Sequence, residues 1–353
     1  MRVGILGCGY WGSKHVRVLS AIAGVDRVVA IDQDAMRLAA MRRTMPSIET
    51  AVDLDGAIDS VDAVVVATPP RTHASIALDL MRAGKSVLVE KPLATSVEDA
   101  EAMVGTARDE GVVLMVGHTF EYNAAVWKLR ELVADDELGE LYYLDSARLN
   151  LGLYQTDVNV IWDLAPHDVS IANYVLGSTP TTVQAWGARH AHRFLEDVAY
   201  LRLTYGRIGV SANVHVSWLD PCKVRRVTAV GSKKMAVYND LSTEERIRVF
   251  DKGVVAPEPG GAVGAIPMSY RYGEIRSPFV SFEEPLAVQD QHFLSCVLGE
   301  SSPMTPGESG LAVVRTLACA ERSLLEGRPV DIPQEVDIPQ EKEPVTSTVG
   351  RAS

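Results

Sequence analysis

Cysteine is scarce in this sequence, and its four copies lie far apart. Cys8, Cys222, Cys296 and Cys319 include no Cys-x-x-Cys pair, which argues against a disulfide framework and against a zinc site. The sequence also lacks any run of about 18 apolar residues, so we expect no membrane span. The N-terminus leads directly into a glycine-rich loop rather than a secretory signal. A reducing cytoplasm is therefore the expected compartment.

Basic residues are in deficit as well. The 34 lysines and arginines are outnumbered by 46 aspartates and glutamates, which gives a formal net charge of −12. Such a balance disfavours nucleic acid and anionic membranes as partners, although local cations in a cleft can still bind an anionic small molecule. The 353 residues are too many for one typical domain and suffice for two.

A dinucleotide-binding motif opens the chain. The apolar run 3–6 is followed by Gly7, Gly9 and Gly12 in a Gly-x-Gly-x-x-Gly pattern, and then by an amphipathic stretch typical of a helix. A second apolar run ends at Asp32, twenty residues after Gly12. Strand, glycine loop, helix, strand and acid in this order form the fingerprint of a Rossmann dinucleotide-binding domain.

Each residue of this fingerprint has a physical reason. Gly7 permits the tight turn, Gly9 lets the backbone approach the pyrophosphate, and Gly12 lets helix and strand pack closely. The positive end of the helix attracts the phosphates. A carboxylate at Asp32 would accept hydrogen bonds from the adenosine ribose and repel a 2′-phosphate, which predicts NAD rather than NADP.

Polar residues follow three further predicted strands. The strands 61–67, 86–89 and 112–117 end in a Thr68–His73 loop, in Glu90-Lys91-Pro92 and in His118-Thr119-Phe120. Open α/β sheets bind ligands at the carboxyl ends of their strands. Further candidate cofactor contacts are therefore Tyr10, Trp11, Thr68, Pro69, His73, Glu90 and Lys91. Instead of contacting the cofactor, Tyr10 and Trp11 could pack within the protein, and His73 could lie at the surface.

The pattern changes near residue 122. Successive strand-like runs between about 141 and 238 predict an α+β domain with a large, mostly antiparallel sheet, and two helices follow a Pro/Gly-rich loop at 257–264. The predicted domains are 1–121 and 122–330. After residue 329 the hexapeptide Val-Asp-Ile-Pro-Gln-Glu occurs twice, at 330–335 and 336–341. We expect 331–353 to be an extended or disordered tail, ordered at most in its first copy.

A second chemical motif lies in this domain. Asp163 and His167 are spaced four residues apart, so on a helix they share a face. Pro166 is best tolerated in a first turn, which predicts that the helix begins near Asp163 and that its positive end keeps His167 neutral. Lys91, Asp163 and His167 together are of the kinds needed to remove a proton from an alcohol.

The glycine loop, Glu90-Lys91-Pro92 and the Asp163–His167 pair resemble the Gfo/Idh/MocA oxidoreductase family up to about residue 330. This resemblance implies NAD-dependent hydride transfer at a secondary alcohol, with Lys91, Asp163 and His167 as catalytic residues. Lys91 would stabilise a developing alkoxide, and either Lys91 or His167 could be the base. Segments 117–120, 149–152 and 163–168 look like the branch that oxidises the 3-hydroxyl of nucleotide-linked sugars such as UDP-N-acetylglucosaminuronic acid.

Loops beside the predicted catalytic helix supply the remaining substrate candidates. Lys91 and His167 would be joined by Tyr122, Asn123, Asn159 and Trp162. Asp168 is expected to form a salt bridge. The expected partners are a small sugar substrate and a second copy of the chain, because one face of the sheet needs cover in a homodimer or homotetramer. No metal is expected.

Three other functions fit the same residues. A free-sugar or cyclitol dehydrogenase, inositol-type, would need no nucleotide on its substrate. Some proteins of similar fold use bound NAD transiently to cleave glycosidic bonds, and they would accumulate no NADH. An NAD-binding regulator is the non-enzymatic reading, against which the presence of Lys91, Asp163 and His167 argues.

Overall fold

The computed structural model describes residues 1–152, 154–156, 158–255 and 268–334. Its N-terminal part is a six-stranded, wholly parallel sheet in the order β3-β2-β1-β4-β5-β6, which confirms the predicted Rossmann fold. The strands are β1 (Arg2–Leu6), β2 (Arg27–Ile31), β3 (Glu49–Ala51), β4 (Ala63–Val66), β5 (Ser86–Val89) and β6 (Leu114–Val116). The helices are α1 (Tyr10–Leu19), α2 (Ala35–Thr44), α3 (His73–Arg82) and α4 (Val97–Glu110).

The composition of the central strands explains their position. All four residues of β4 are buried, as are the last three of β5. Strands covered by helices on both faces need such continuous apolar runs. Side chains cap two of the helices: Asp34 accepts hydrogen bonds from the first turn of α2, and Ser96 does the same for α4.

The C-terminal part is a nine-stranded sheet in the order β14-β13-β12-β11-β7-β10-β9-β8-β15, and only β7 and β10 pair in parallel. The predicted large, mostly antiparallel sheet is thereby confirmed. Its strands are β7 (Leu141–Leu151), β8 (Thr182–Ala188), β9 (Val198–Tyr205), β10 (Val210–Ser217), β11 (Leu219–Gly231), β12 (Met235–Asn239), β13 (Ile247–Val255), β14 (Ser269–Arg276) and β15 (Val330–Asp331). The helices are α5 (Ala124–Ala134), α6 (Val160–Leu176), α7 (Pro285–Val297) and α8 (Gly307–Glu326).

The start of α6 differs from the sequence prediction. The helix begins at Val160, because Asn159 accepts hydrogen bonds from the backbone N–H groups of Ile161 and Trp162 and so caps it. Pro166 therefore lies inside the helix rather than in its first turn. The expected start near Asp163 is wrong by one turn, because the capping asparagine outweighs the position preferred by proline.

The last two helices return to the nucleotide-binding part. Helix α7 contacts α1, and α8 contacts both α4 and α6. The edge of β6 also meets this segment, since the backbone N–H of Val116 donates to the carbonyl of Thr305 at 2.9 Å. The sequence boundary at residue 121 thus separates two sheets, but segment 285–326 packs on both of them.

The first copy of the hexapeptide extends the nine-stranded sheet. Val330 and Asp331 pair with β8, and Ile332 is buried. Residues 330–334 of this copy are thus among the described residues, while residues 335–353 and the loop 257–264 lie outside them. Within the described ranges, no helix is long and apolar enough to cross a membrane.

Candidate active site

The glycine loop between β1 and α1 is closed by backbone contacts. Gly7 has a φ of +92°, and a Cβ there would lie 2.7 Å from the carbonyl oxygen of Ala67. A Cβ on Gly12 would lie 1.7 Å from the carbonyl oxygen of Gly7, whereas a Cβ on Gly9 would meet nothing within 4 Å. Gly7 and Gly12 are therefore required by the fold, while Gly9 leaves an open surface at the start of α1 that fits an approaching pyrophosphate.

This contrast predicts different effects for two alanine substitutions. Gly12→Ala is expected to distort the loop and lower the unfolding temperature, because its methyl group overlaps a backbone carbonyl. Gly9→Ala is expected to leave the unfolding temperature unchanged and to weaken NAD⁺ binding by roughly tenfold or more, because the methyl group occupies the open surface. Thermal unfolding and calorimetric titration with NAD⁺ measure both effects. Equal NAD⁺ affinity in Gly9→Ala and the wild type would contradict this assignment.

Asp32 lies at the end of β2, beside the glycine loop. One of its carboxylate oxygens accepts from the backbone N–H of Cys8 at 2.7 Å, and the other accepts from the N–H of Asp34 at 2.8 Å. The side chain of Arg37 approaches the carboxylate to 3.5 Å. These contacts fix a buried carboxylate at the position where the fingerprint requires an acceptor for ribose hydroxyls.

The two aromatic residues of the loop lie at its outer side. Tyr10 and Trp11 pack edge to face with ring centroids 5.4 Å apart, and the ammonium of Lys14 lies 4.4 Å from the centre of the Tyr10 ring. Tyr10 is 72% exposed. The two rings therefore pack against each other, as the alternative to a cofactor contact predicted. Tyr10 also keeps most of its surface exposed beside the loop.

The loop after β4 is held by His73. Its Nδ1 lies 2.9 Å from the carbonyl oxygen of Pro92, and its Nε2 lies 2.9 Å from that of Thr68. The side chain is completely buried, so the surface alternative for His73 is wrong. The ring ties the Thr68–Pro69 loop to the Glu90-Lys91-Pro92 turn and presents no ring nitrogen to a ligand.

Glu90 belongs to a buried charge network. Its carboxylate lies 3.1 Å from Nε2 of His15, and Nδ1 of His15 lies 2.9 Å from the carboxylate of Asp290. Burial lowers the pKa of His15, but Asp290 and then Glu90 outweigh burial and raise this pKa to about 10. The second oxygen of Glu90 accepts from the backbone N–H of Lys91 at 3.2 Å. An imidazolium between two carboxylates therefore anchors the turn that carries Lys91.

Lys91 points from the nucleotide-binding part toward α6. Its Nζ donates to the main-chain carbonyl oxygen of Asp163 at 2.6 Å and lies 3.4 Å from the carboxylate of the same residue. The other carboxylate oxygen of Asp163 accepts from Nε1 of Trp218 at 2.9 Å. Asp163 thus pairs with Lys91.

His167 lies one turn further along α6. The side chain is 9% exposed, its Nδ1 is buried without a hydrogen-bond partner, and its ring packs edge to face against Phe120 at 5.0 Å. Burial, and then the positive charges of Lys91, Arg148 and Arg225, hold its pKa well below the usual value of 6.5. The sequence predicted that the positive end of the helix keeps His167 neutral, but burial and nearby cations are the cause. His167 is too far inside the helix for a strong dipole effect, which fades beyond the first turn.

Both parts of the chain match known protein-family domains. Residues 1–118 match the oxidoreductase-family domain with an NAD-binding Rossmann fold, and residues 126–237 match the Gfo/Idh/MocA C-terminal domain. The chain belongs to the Gfo/Idh/MocA oxidoreductase family. It is 28% identical over 320 residues to a UDP-N-acetylglucosamine 3-dehydrogenase from Acidithiobacillus ferrooxidans, covering 89% of this chain and 94% of that protein.

Two further proteins are similar over nearly the whole chain. An inositol 2-dehydrogenase from Rhizobium meliloti is 26% identical over 352 residues, covering 94% of this chain and 99% of that protein. The crystal structure of GenD2 from gentamicin A biosynthesis, in complex with NAD, superposes with a TM-score of 0.78 at 26% identity, covering 95% and 97% of the two chains. The predicted NAD-binding oxidoreductase is thereby confirmed.

The residues around the catalytic candidates in this Gfo/Idh/MocA protein are mostly paired. Asp168 is buried and accepts from Nε of Arg148 at 2.6 Å and from the hydroxyl of Ser146, which confirms the expected salt bridge. Arg148 in turn lies 4.4 Å from the centre of the Phe120 ring, on which His167 also packs. This network links His167 to β7 through Phe120 and leaves both carboxylate oxygens of Asp168 hydrogen-bonded.

Tyr122 and Asn123, two of the expected substrate contacts, have partners within the protein. Tyr122 is 1% exposed with its hydroxyl 3.2 Å from that of Thr305, and Asn123 caps α5 and donates to Tyr238. Both side chains are therefore held within the fold, and their contact with a substrate stays a prediction.

Asn159 and Trp162 are nearer to an opening. Asn159 caps α6, the indole N–H of Trp162 donates to Glu321, and both line a cavity of about 450 Å³. Arg71 and Phe194 also line this cavity, whereas Lys91 and His167 do not. Contact of Asn159 and Trp162 with a substrate stays a prediction.

Three residues that position the candidate site were not found from the sequence. His15 lies between Glu90 and Asp290, and Trp218 donates to Asp163. His15 lies three residues after Gly12 on the dinucleotide helix, a signal that could have marked it, but its partner Asp290 is 275 positions away. Among the described residues, no group of three or more His, Cys, Asp or Glu side chains is arranged to hold a metal ion.

Proposed function

We propose that this Gfo/Idh/MocA oxidoreductase transfers hydride between NAD and a secondary alcohol of a sugar, at C3 of a nucleotide-linked sugar or uronic acid. The observation that carries the proposal is the contact of Lys91 with Asp163, one turn before His167, where the nucleotide-binding part meets α6. The similarity to a UDP-N-acetylglucosamine 3-dehydrogenase across 89% of the chain supports the substrate class.

The charges of the candidate residues suggest how they divide the chemistry. Lys91 already pairs with Asp163 as a cation, so it suits donating a hydrogen bond to the reacting oxygen and stabilising negative charge there. His167 is kept neutral by burial and by nearby cations, so it can accept the hydroxyl proton. Bound NAD⁺ supplies the hydride acceptor. Oxidation then leaves the ketone and a protonated His167, which must pass its proton to solvent.

The lowered pKa of His167 gives a pH prediction. A base that stays neutral to low pH loses activity only when pH falls through that lowered pKa, so the acid limb of kcat/KM is expected below pH 6.5. His167→Asn is expected to lower kcat/KM by about 10²- to 10⁴-fold and to remove this limb. Initial rates between pH 4.5 and 9 at about one-half-unit steps measure it. An unchanged acid limb in His167→Asn would assign the limb to another group.

NADH absorbance tests the proposed reaction. Purified protein and NAD⁺ would be mixed with UDP- and dTDP-sugars, UDP-uronic acids, free sugars and inositols, with Lys91→Ala in parallel. A signal with one nucleotide-linked sugar, lost in Lys91→Ala, is expected. If the whole panel gives no NADH while calorimetry shows NAD⁺ binding, free oxidation of these compounds is excluded.

A free-sugar or cyclitol dehydrogenase is the second candidate. The similarity to an inositol 2-dehydrogenase over 94% of the chain favours it. Activity with inositol or a free sugar that UDP does not inhibit would select this candidate. Redox-assisted cleavage of a glycosidic bond would instead release sugar from a glycoside while NADH stays at its starting level.

We also propose a homodimer or homotetramer formed through the open face of the nine-stranded sheet. Strands β8 and β9 alternate buried and exposed residues, and Trp186 and Tyr200 are 58% and 46% exposed with ring centroids 5.6 Å apart. Exposed aromatic surface of this kind is typical of an interface. Trp186→Glu with Tyr200→Glu is expected to give a monomer in light scattering. Leu325→Glu, at an exposed site of α8 outside the sheet, is the control and should keep the wild-type mass.

A further inference from the structure

The edge of β8 binds an extended peptide, which is the first copy of the repeated hexapeptide. Val330 pairs with Val183 and Asp331 with Thr182, and the N–H of Ile332 donates to the carbonyl of Thr181 at 2.9 Å. Val330 is 1% exposed and Ile332 is 6% exposed. The peptide therefore adds a strand to the sheet and buries two apolar side chains, which is the usual form of strand addition.

The polar side chains of this copy also make specific contacts. The hydroxyl of Thr182 donates to the carboxylate of Asp331 at 3.2 Å. The amide of Gln334 donates to the carbonyl of Pro180 at 2.9 Å and accepts from the hydroxyl of Thr179 at 3.2 Å. Valine, aspartate, isoleucine and glutamine at these spacings are thus each recognised by the β8 edge and the 179–182 segment.

Each of these recognised residues has an exact counterpart six positions later. The second copy supplies Val336, Asp337, Ile338 and Gln340 in the same order and spacing. The peptide-side contacts described above come only from positions that the second copy repeats. A segment of identical sequence can make identical contacts in the same place.

The connection to the rest of the chain permits the exchange. Helix α8 ends at Glu326, Gly327 adopts a φ of +65°, and the carbonyl of Arg328 accepts from the hydroxyl of Ser323. Seating the second copy leaves these contacts in place and requires only that 330–335 form a loop before it. The entropy cost of closing a loop grows slowly with its length, and the short link keeps the second copy at high effective concentration.

We propose that the β8 edge, with Thr179 to Thr182, is a peptide-binding slot that either copy of Val-Asp-Ile-Pro-Gln-Glu within the same chain can fill. The second copy is a spare closing strand for this sheet edge. An uncovered edge strand exposes unpaired backbone groups to other chains. The duplication keeps β8 covered when the first copy leaves the slot.

Two isoleucine substitutions test the proposal by their non-additivity. Ile338→Asp alone should leave the unfolding temperature unchanged, and Ile332→Asp alone should lower it only slightly because the second copy takes its place. The double variant should lose far more than the sum of the two single losses. If Ile332→Asp alone lowers the unfolding temperature as much as the double variant does, the exchange does not occur.

A disulfide trap reports the exchange directly. Asp331 lies opposite Thr182, so the pair Thr182→Cys and Asp331→Cys should crosslink within one chain and serves as the positive control. The pair Thr182→Cys and Asp337→Cys, carried with Ile332→Asp and Cys222→Ser, should crosslink within one chain only if the second copy fills the slot. Peptide mapping under non-reducing conditions identifies the bond. Absence of the 182–337 crosslink, or its formation only between chains, would overturn the proposal.

Discussion

Replacing Lys91 with methionine is expected to lower kcat/KM by at least about 10³-fold while the protein still binds NAD⁺. Methionine keeps most of the length of the side chain but cannot donate to an oxygen or pair with Asp163. The ammonium lies 2.6 Å from the carbonyl of Asp163 and is only 10% exposed, so water cannot replace it well. Steady-state kinetics on the substrate found in the panel, with calorimetry for NAD⁺, measure the effect.

A matched lysine separates this effect from a loss of charge in general. Lys128 is on the outer face of α5 and pairs with Glu131 at 2.6 Å, three residues further along the same helix. Lys128→Met should leave kcat/KM within about a factor of two, because an exposed pair of this type contributes little. A Lys91→Met enzyme with nearly wild-type kcat/KM would remove Lys91 from the chemistry.

His15→Leu is expected to have the largest effect on stability, lowering the free energy of unfolding by about 3–5 kcal/mol. The substitution leaves Glu90 and Asp290 buried with no cation between them, and Asp290 is 0% exposed. Chemical denaturation at neutral pH measures the loss. A second consequence is lower activity, because the carboxylate of Glu90 also holds the backbone of Lys91.

Arg17 provides the control on the same helix. It pairs with Glu284 next to α7, but its side chain is 54% exposed. Arg17→Leu should therefore cost no more than about 1 kcal/mol. Similar losses for Arg17→Leu and His15→Leu would show that the buried network contributes no more than a surface pair.

The pKa of His15 sets the pH range of this stabilisation. It is raised from 6.5 to about 10 in the folded protein, so its contribution is complete below pH 6.5 and is lost as pH rises toward 10. The difference in unfolding free energy between wild type and His15→Leu should shrink over that range. A constant difference up to pH 10 would contradict a charged His15.

The sequence predicted the parts of the site that local patterns determine. The glycine loop, Asp32 and Lys91 each follow a strand whose apolar run is continuous. Their position at the carboxyl ends of the strands could therefore be predicted from the sequence. The spacing of Asp163 and His167 put both on one helix, as the structure has them. Their chemistry remains a prediction that the experiments above test.

Other parts depend on contacts that no local pattern contains. Tyr122 and Asn123 were expected at the substrate as loop residues beside the catalytic helix, but packing against Thr305 and Tyr238 buries them. Strands β13 and β14 were also not predicted, although Ile247 and Val249 of β13 are buried; β14 is mostly exposed and lacks a clear alternation. Tertiary context decided all of these positions.

The return of α7 and α8 to the first sheet has a consequence for synthesis on the ribosome. A nascent chain that has emerged only as far as residue 240 already contains the whole glycine loop, yet His15 still lacks Asp290 and the N–H of Val116 still lacks Thr305. Domains generally complete their folding in the order of translation. In this chain, contacts of the half made first are therefore completed only after residues 290 and 305 have been made.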